Sequence, residues 1–338
     1  MRIPTAMTLA FFLLASPTIF AQQIVRPFEI AAEAYFQKLL NREFDVIDRE
    51  ALEALVNNLT IDDGQPKLSA IYGGISGCLT QGCTNRISDK MWQTRLLLIN
   101  EWRRKIPRSI VAEVASAKFY LEYAYLNRGQ GYANTVDKDA WPLFRKNLDI
   151  SLEHLRKSTP AAKKDPEWHA TYLNIGTAQG WPPEQFINAY QDAKKAARLY
   201  IPIYFAASTY FSPRWHGTPD TLRKFVDDAV TSTQAELGET LYARLNWSLW
   251  TQTMFVDGQT NWLRMKNGFT RITTDYPHPW NINNFGKFAC MAKDAKTLLE
   301  LEKKIRGKLI PAAWFNSVNL YSQCLIEASK SPQLRPAM

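Results

Sequence analysis

Apolar residues return every three or four positions along most of the chain. Leu222, Phe225, Val226, Ala229 and Val230 fall at i, i+3, i+4, i+7 and i+8, one continuous stripe that predicts an amphipathic helix. Just before it, Gly217 lets the chain turn, Thr218 offers a capping hydroxyl, and Pro219 fits a first helical position where no backbone N–H is needed. The stretch "YFSPRWHGTPDTLRKFVDDAV" therefore reads as helix, corner, helix. The same grammar recurs elsewhere. Trp92, Leu96, Ile99 and Trp102 form a stripe that closes before Pro107, and Ser109 can cap a following helix carrying Ala112, Ala115, Phe119, Tyr123 and Leu126. After Pro182, Phe186, Ala189, Tyr190, Ala193 and Ala197 share one side, and Trp262, Met265, Phe269 and Ile272 share another. A last pair of helices is expected over 294–305 and 311–328. Sustained alternation of apolar and polar residues is missing, as is any Asn-Gly or Asp-Gly turn between β-branched runs.

Prolines punctuate these helices at 107, 160, 202, 277 and 311. Their spacing centres on one helical hairpin of ~34 to 47 residues, the unit of tetratricopeptide and related repeats. Small residues such as Ala189, Ala193, Ala196 and Ala197 allow close approach of neighbouring helices. The expectation is an all-α fold, an irregular α-solenoid of helix pairs of tetratricopeptide-like character. No low-complexity linker divides it, so 22–338 is read as one helical-repeat domain.

The first residues change the picture of where the chain works. Arg2, the apolar run from Met7 to Leu14, then Ser16, Pro17 and Ala21 follow the order of a secretory signal peptide, with cleavage expected after Ala21. The run is shorter than the ~20 residues that span a bilayer, and no later segment approaches that length without charges. A periplasmic protein with no membrane span is the expectation. The formal charge of +9 includes Arg2 and is not concentrated: Lys163-Lys164, Lys194-Lys195 and Lys303-Lys304 are isolated pairs on polar faces. Nucleic-acid binders gather such charge in one patch, so no nucleic-acid partner is expected, whereas an anionic polymer or an acidic protein would be attracted.

Four cysteines in an exported chain suit disulfides, and four allow three pairings. Cys78 and Cys83 lie close together in "GCLTQGC". Cys290 and Cys324 are then left to pair between C-terminal helices, or Cys290 stays a free buried thiol. Zinc is not favoured, because no histidine is near and the spacer is too long.

The blocks "PKLSAIYGGI", "YLNRGQGYANTVDKDAWPLFRKNL", "KKDPEWHATYLNIGTAQGW", "YIPIYFAASTYFSPRWHGTPDTLRKFVDDA" and "RMKNGFTRITTDYPHPWNINNFGKFACMAKD" cover most of the chain from Pro66 to Ile305. In this order the chain resembles an uncharacterised bacterial family of exported or membrane-associated proteins with a domain of unknown function related to tetratricopeptide repeats. The resemblance implies a helical-repeat fold and a Gram-negative setting, and no activity. The family pattern has glycine where His216 stands, which argues against His216 as a required catalyst.

Enzymatic signatures are sparse. His154, His169, His216 and His278 are the only histidines, with no i, i+4 pair for zinc, and neither a Gly-x-Ser-x-Gly elbow nor a phosphate or dinucleotide loop occurs, so no cofactor is expected. Aromatic content points to binding instead. With 11 Trp, 14 Tyr and 17 Phe, many rings stand at corners, and Arg214, Trp215, Trp141, Trp181, Tyr132 and Trp280 are the candidate partner-binding residues. The bland account gives these rings to the gaps between helix pairs. The function expected is binding of a protein or polymer partner without catalysis. An immunity or inhibitor protein against a secreted effector is one alternative, and a carbohydrate-active enzyme on an α/α scaffold, with two carboxylates drawn from distant helices, is the other.

Overall fold

Several helix starts fall where side chains can hold the first free N–H groups. Thr218 and Thr221 form a reciprocal capping box at the corner read from the sequence, and Ser109 accepts from the Ala112 N–H as expected. The computed structural model describes residues 26–81, 83, 88–129 and 131–330, so the expected leader 1–21 lies outside the described residues. Among the described residues every regular element is helical. The α-helices are α1 (Pro27–Leu40), α2 (Phe44–Val56), α3 (Lys67–Ser76), α4 (Asp89–Lys105), α5 (Ile110–Arg128), α6 (Ala140–Arg156), α7 (Pro166–Gln179) and α8 (Pro183–Ala196). They continue as α9 (Ile201–Phe211), α10 (Pro219–Leu237), α11 (Thr240–Ser248), α12 (Trp262–Asp275), α13 (Pro279–Met291), α14 (Ala295–Ile305) and α15 (Val318–Ser329). Among the described residues, extended pairing is limited to one isolated bridge between Thr60 and Pro66.

Two local expectations differ from the structure. Pro182 stands outside the helix it was expected to open, and Pro183 takes the first position. The helix expected over 311–328 is broken into a 3-10 turn, Pro311–Trp314, and α15, because Phe315 and Asn316 adopt left-handed backbone with φ of 56° and 58°. Ser317 then caps the new helix by accepting from the Leu320 N–H.

The helices form an inner and an outer row. α5 packs on α6, α7 on α8, α11 on α12 and α13 on α14, while α3, α5, α7, α9 and α11 follow one another directly. The sequence explains the division. α13 buries every residue from Trp280 to Ala289, and a helix buried on all sides belongs inside. α14 buries only a stripe that includes Leu298, Leu301 and Ile305, as an outer helix should.

The two ends of the row are also tied together. Asp63, in the loop after α2, presents its carbonyl oxygen to Arg244 on α11 and to Asn281 on α13, at 2.8 Å and 3.2 Å. A strictly nearest-neighbour stack makes no such contact, so the inner row closes around a central space.

Cys78 is bonded to Cys83, and Cys290 on α13 to Cys324 on α15. The alternative of a free Cys290 thiol is thereby corrected: α15 folds back so that the two Cα atoms lie 5.7 Å apart. Among the described residues no helix is long and apolar enough to cross a membrane.

Candidate functional site

The inner row encloses a cleft of about 540 Å³. Every α-helix that lines it carries an odd number, from Ser69 on α3 to Lys287 on α13, because the inner helices alternate with outer ones along the chain. Among the described residues, five cationic side chains line the cleft, Arg26, Lys118, Arg214, Arg244 and Lys287, against the single carboxylate of Glu167.

One wall satisfies its own charge. Lys118 on α5 is 1% exposed and lies 2.8 Å from Glu167 and 3.5 Å from Glu122. Burial works against its ammonium, but the two carboxylates outweigh that and raise its pKa. The remaining oxygens are also occupied: Glu122 accepts from the Thr80 N–H and hydroxyl, and Glu167 accepts from the Tyr200 hydroxyl. Beneath them Asp165 caps α7 through the Glu167 N–H and accepts from Tyr72 at 2.6 Å. Burial pushes Asp165 up to about 7 despite those bonds.

The opposite wall, on α11 and α13, does not satisfy its charge. Arg244 and Lys287 are each only 4% exposed. Arg244 Nη2 donates to Asp63, but its Nε has no hydrogen-bond partner, and burial lowers its pKa against the pull of Asp63. Lys287 donates to Asn284 Oδ1 at 2.9 Å and sits over the rings of Phe315 and Phe288 at 4.4 Å and 4.6 Å. No carboxylate among the described residues pairs with it. Burial, with a further push from Arg26, brings its pKa down to about 7. Aromatic rings surround this end: Trp280 beside Trp247, and at the mouth Trp250 stacked on Phe315 at 4.3 Å, both rings well exposed.

Of the residues expected from the sequence to meet a partner, Arg214 and Trp280 line the cleft. Tyr132, 61% exposed, lies under the Arg214 guanidinium at 4.7 Å. Trp215 and Trp141 flank Arg128 on the neighbouring surface and do not line the cleft. Trp181 is buried against Tyr172, with its indole N–H donated to Gln179, so it fills the gap between helices as the bland account supposed. Sequence reasoning missed Lys118, Arg244 and Lys287. The sequence carried no signal for Lys287: Asn281, Asn284 and Lys287 recur every three positions, as on a solvated helix face, and only the structure shows that all three are buried.

Compared with protein-family models, with curated proteins and with solved structures, the chain finds no match. The site is therefore read from its own chemistry.

Proposed function

We propose that the protein is an exported helical-repeat protein, of the uncharacterised kind it resembles, that binds an anionic polymer segment in its central cleft and does no chemistry on it. The observation that carries this reading is the excess of cations over carboxylates in the cleft, with Lys287 buried and in no ion pair among the described residues, and Arg244 buried beside Asp63 alone with its Nε unpartnered. A buried cation without a counter-ion costs free energy, and an incoming anion relieves that cost. A cleft of this volume admits a chain of small units rather than a folded surface, which weighs against an immunity protein acting here. Two disulfides and the leader pattern support a periplasmic location.

The enzymatic reading has one observation in its favour, the raised pKa of Asp165 next to Glu167. Against it, Asp165 does not line the cleft, and both Glu167 oxygens are held by Lys118 and Tyr200. A general acid needs a proton within reach of the substrate.

Retention on immobilised polyanions tests the proposal. Polygalacturonate or polyglutamate should retain the protein where neutral dextran does not, Lys287→Met should weaken retention, and exchanging the exposed Lys303 and Lys304 for Gln should leave it nearly unchanged. Equal losses in the two variants would assign the effect to general surface charge and overturn the cleft.

A further inference from the structure

Beyond charge, the cleft carries a pattern of hydrogen-bonding groups. Gln65, Ser69, Gln81, Asn174, Thr209 and Ser248 contribute amides and hydroxyls; all but Ser69 donate inside the protein, to Asp63, Ser69 and the carbonyls of Ala170, Phe205 and Leu245, which leaves chiefly their oxygens to accept from a ligand. The Gln81 Oε1 is buried without a partner. Sugar hydroxyls can donate to such oxygens at every unit, whereas a peptide alternates N–H groups that donate with carbonyls that only accept. The rings at the basic end complete the pattern. An exposed stacked pair, Trp250 on Phe315, offers a flat face at the mouth, and the C–H face of a pyranose, slightly positive, fits the negative face of an indole.

We propose that this end of the cleft is a subsite for an acidic saccharide, with Arg244 and Lys287 reading the carboxylate of a uronic acid unit and Trp250 carrying the adjoining ring. The inference rests on the anion-binding reading above and names its ligand class. Asn284, which already accepts from Lys287, fixes the direction of that ammonium. Arg244, held at one nitrogen by the Asp63 carbonyl, keeps its Nε uncommitted. Neutral sugars would satisfy the amides and rings but leave both cations unmet. Acidic peptides would meet the cations but not the stacking face.

Isothermal titration calorimetry of the mature chain with three probes tests this: trigalacturonate, its methyl ester, and triglutamate. Trigalacturonate is expected to bind, and esterification, which keeps the rings and removes the charge, should weaken binding by about tenfold to a hundredfold, the scale of a lost charge-assisted contact. Lys287→Met should produce a similar loss. That variant removes a buried cation lacking a carboxylate partner, so its thermal melt should be no lower than wild type and a folding defect would be visible. Trp250→Ala, at an exposed position, should weaken the trisaccharide severalfold. If triglutamate binds as tightly as trigalacturonate and loses affinity with Lys287→Met, the saccharide assignment is overturned while anion binding stands. If the ester binds as well as the acid, the carboxylate-reading role is overturned. Failure of every anion to bind would overturn both readings together.

Discussion

Arg244 on α11 donates to the carbonyl oxygen of Asp63 across 181 positions of sequence at 2.8 Å, and this contact closes the inner row of helices. Gly64, next in the chain, has φ of +80°, and a Cβ placed on it would come 2.4 Å from the Tyr276 ring and 2.6 Å from the Arg244 guanidinium. Gly258 shares the left-handed backbone, with φ of +71°, but nothing lies within 4 Å of its added Cβ. Gly258→Ala should therefore lose only the conformational term, ~1 to 2 kcal/mol. Gly64→Ala should lose ~1 to 3 kcal/mol more through overpacking at the closure. Urea unfolding of the two variants measures the difference, and equal losses would mean that the closure carries no strain.

Lys118 holds Glu122 and Glu167 together in a site that water barely reaches. Lys118→Met leaves two carboxylates buried without their cation and should cost about 3 to 5 kcal/mol. Lys118→Met combined with Glu167→Gln removes one of those charges and should recover part of the loss. Additive losses in the double variant, read by chemical denaturation, would contradict direct coupling of the pair.

Asp165 sets a pH dependence whose sign follows from its raised pKa. Folded Asp165 holds its proton up to about 7, whereas the unfolded chain releases it near the ordinary 3.8. Its contribution is therefore full below the unfolded value and lost as pH rises through about 7, with a slope of at most ~1.4 kcal/mol per pH unit. Asp165→Asn keeps an N-cap for α7 and removes the titration. Relative to that variant, wild type should lose stability between pH 4 and 7. Parallel stability profiles of the two proteins would show that Asp165 is ionised throughout.

Helix corners were legible because their causes are local: Thr218 with Pro219, and Ser109 after Pro107, act within a few residues. The break at Phe315 and Asn316 was not, since the apolar stripe runs on across it and two left-handed residues of ordinary type leave no periodic mark. The cleft was legible only in part. Arg214 and Trp280 stood out as an arginine and an aromatic ring at corners, but Arg26, Lys118, Arg214, Arg244 and Lys287 come from separate inner-row segments, and only the long-range closure brings them to one space. No sequence window holds them together. Lys118 and Glu122 do sit four apart on α5, yet that spacing looks the same on an exposed helix face as it does here, where both are buried.

The two disulfides should contribute unequally. Cys78 and Cys83 are separated by 5 positions and Cys290 and Cys324 by 34. On the chain-entropy account the longer loop contributes ~4 kcal/mol and the shorter ~2. Replacing Cys290 and Cys324 together by Ser should thus lower stability about twice as much as replacing Cys78 and Cys83. Alkylation of the native protein without reductant should add no mass, and two added groups would mean that one bridge is open.

The corner after α9 tests how far a ring and a histidine support the fold there. Trp215 is half-buried, edge-on to Tyr125 and beneath Arg128 at 5.7 Å. Trp215→Ala should accordingly cost about 2 kcal/mol, below the 3 to 5 of a fully buried ring. His216 does more than turn the chain: its Nε2 hydrogen-bonds the Thr177 carbonyl at 2.8 Å, and its ring meets Tyr210 at 4.8 Å. The family-like glycine at this position would lose both contacts. It would gain little in return, because His216 does not adopt left-handed backbone. His216→Gly should therefore cost about 1 to 2 kcal/mol, the scale of one hydrogen bond and one ring contact. The tight point of the corner is Gly217 instead, where a Cβ would come 1.8 Å from the Phe211 carbonyl oxygen, so Gly217→Ala should be the most damaging of the three. Thermal melts beside wild type rank them, and a neutral His216→Gly would show that the bond to Thr177 does not hold the corner.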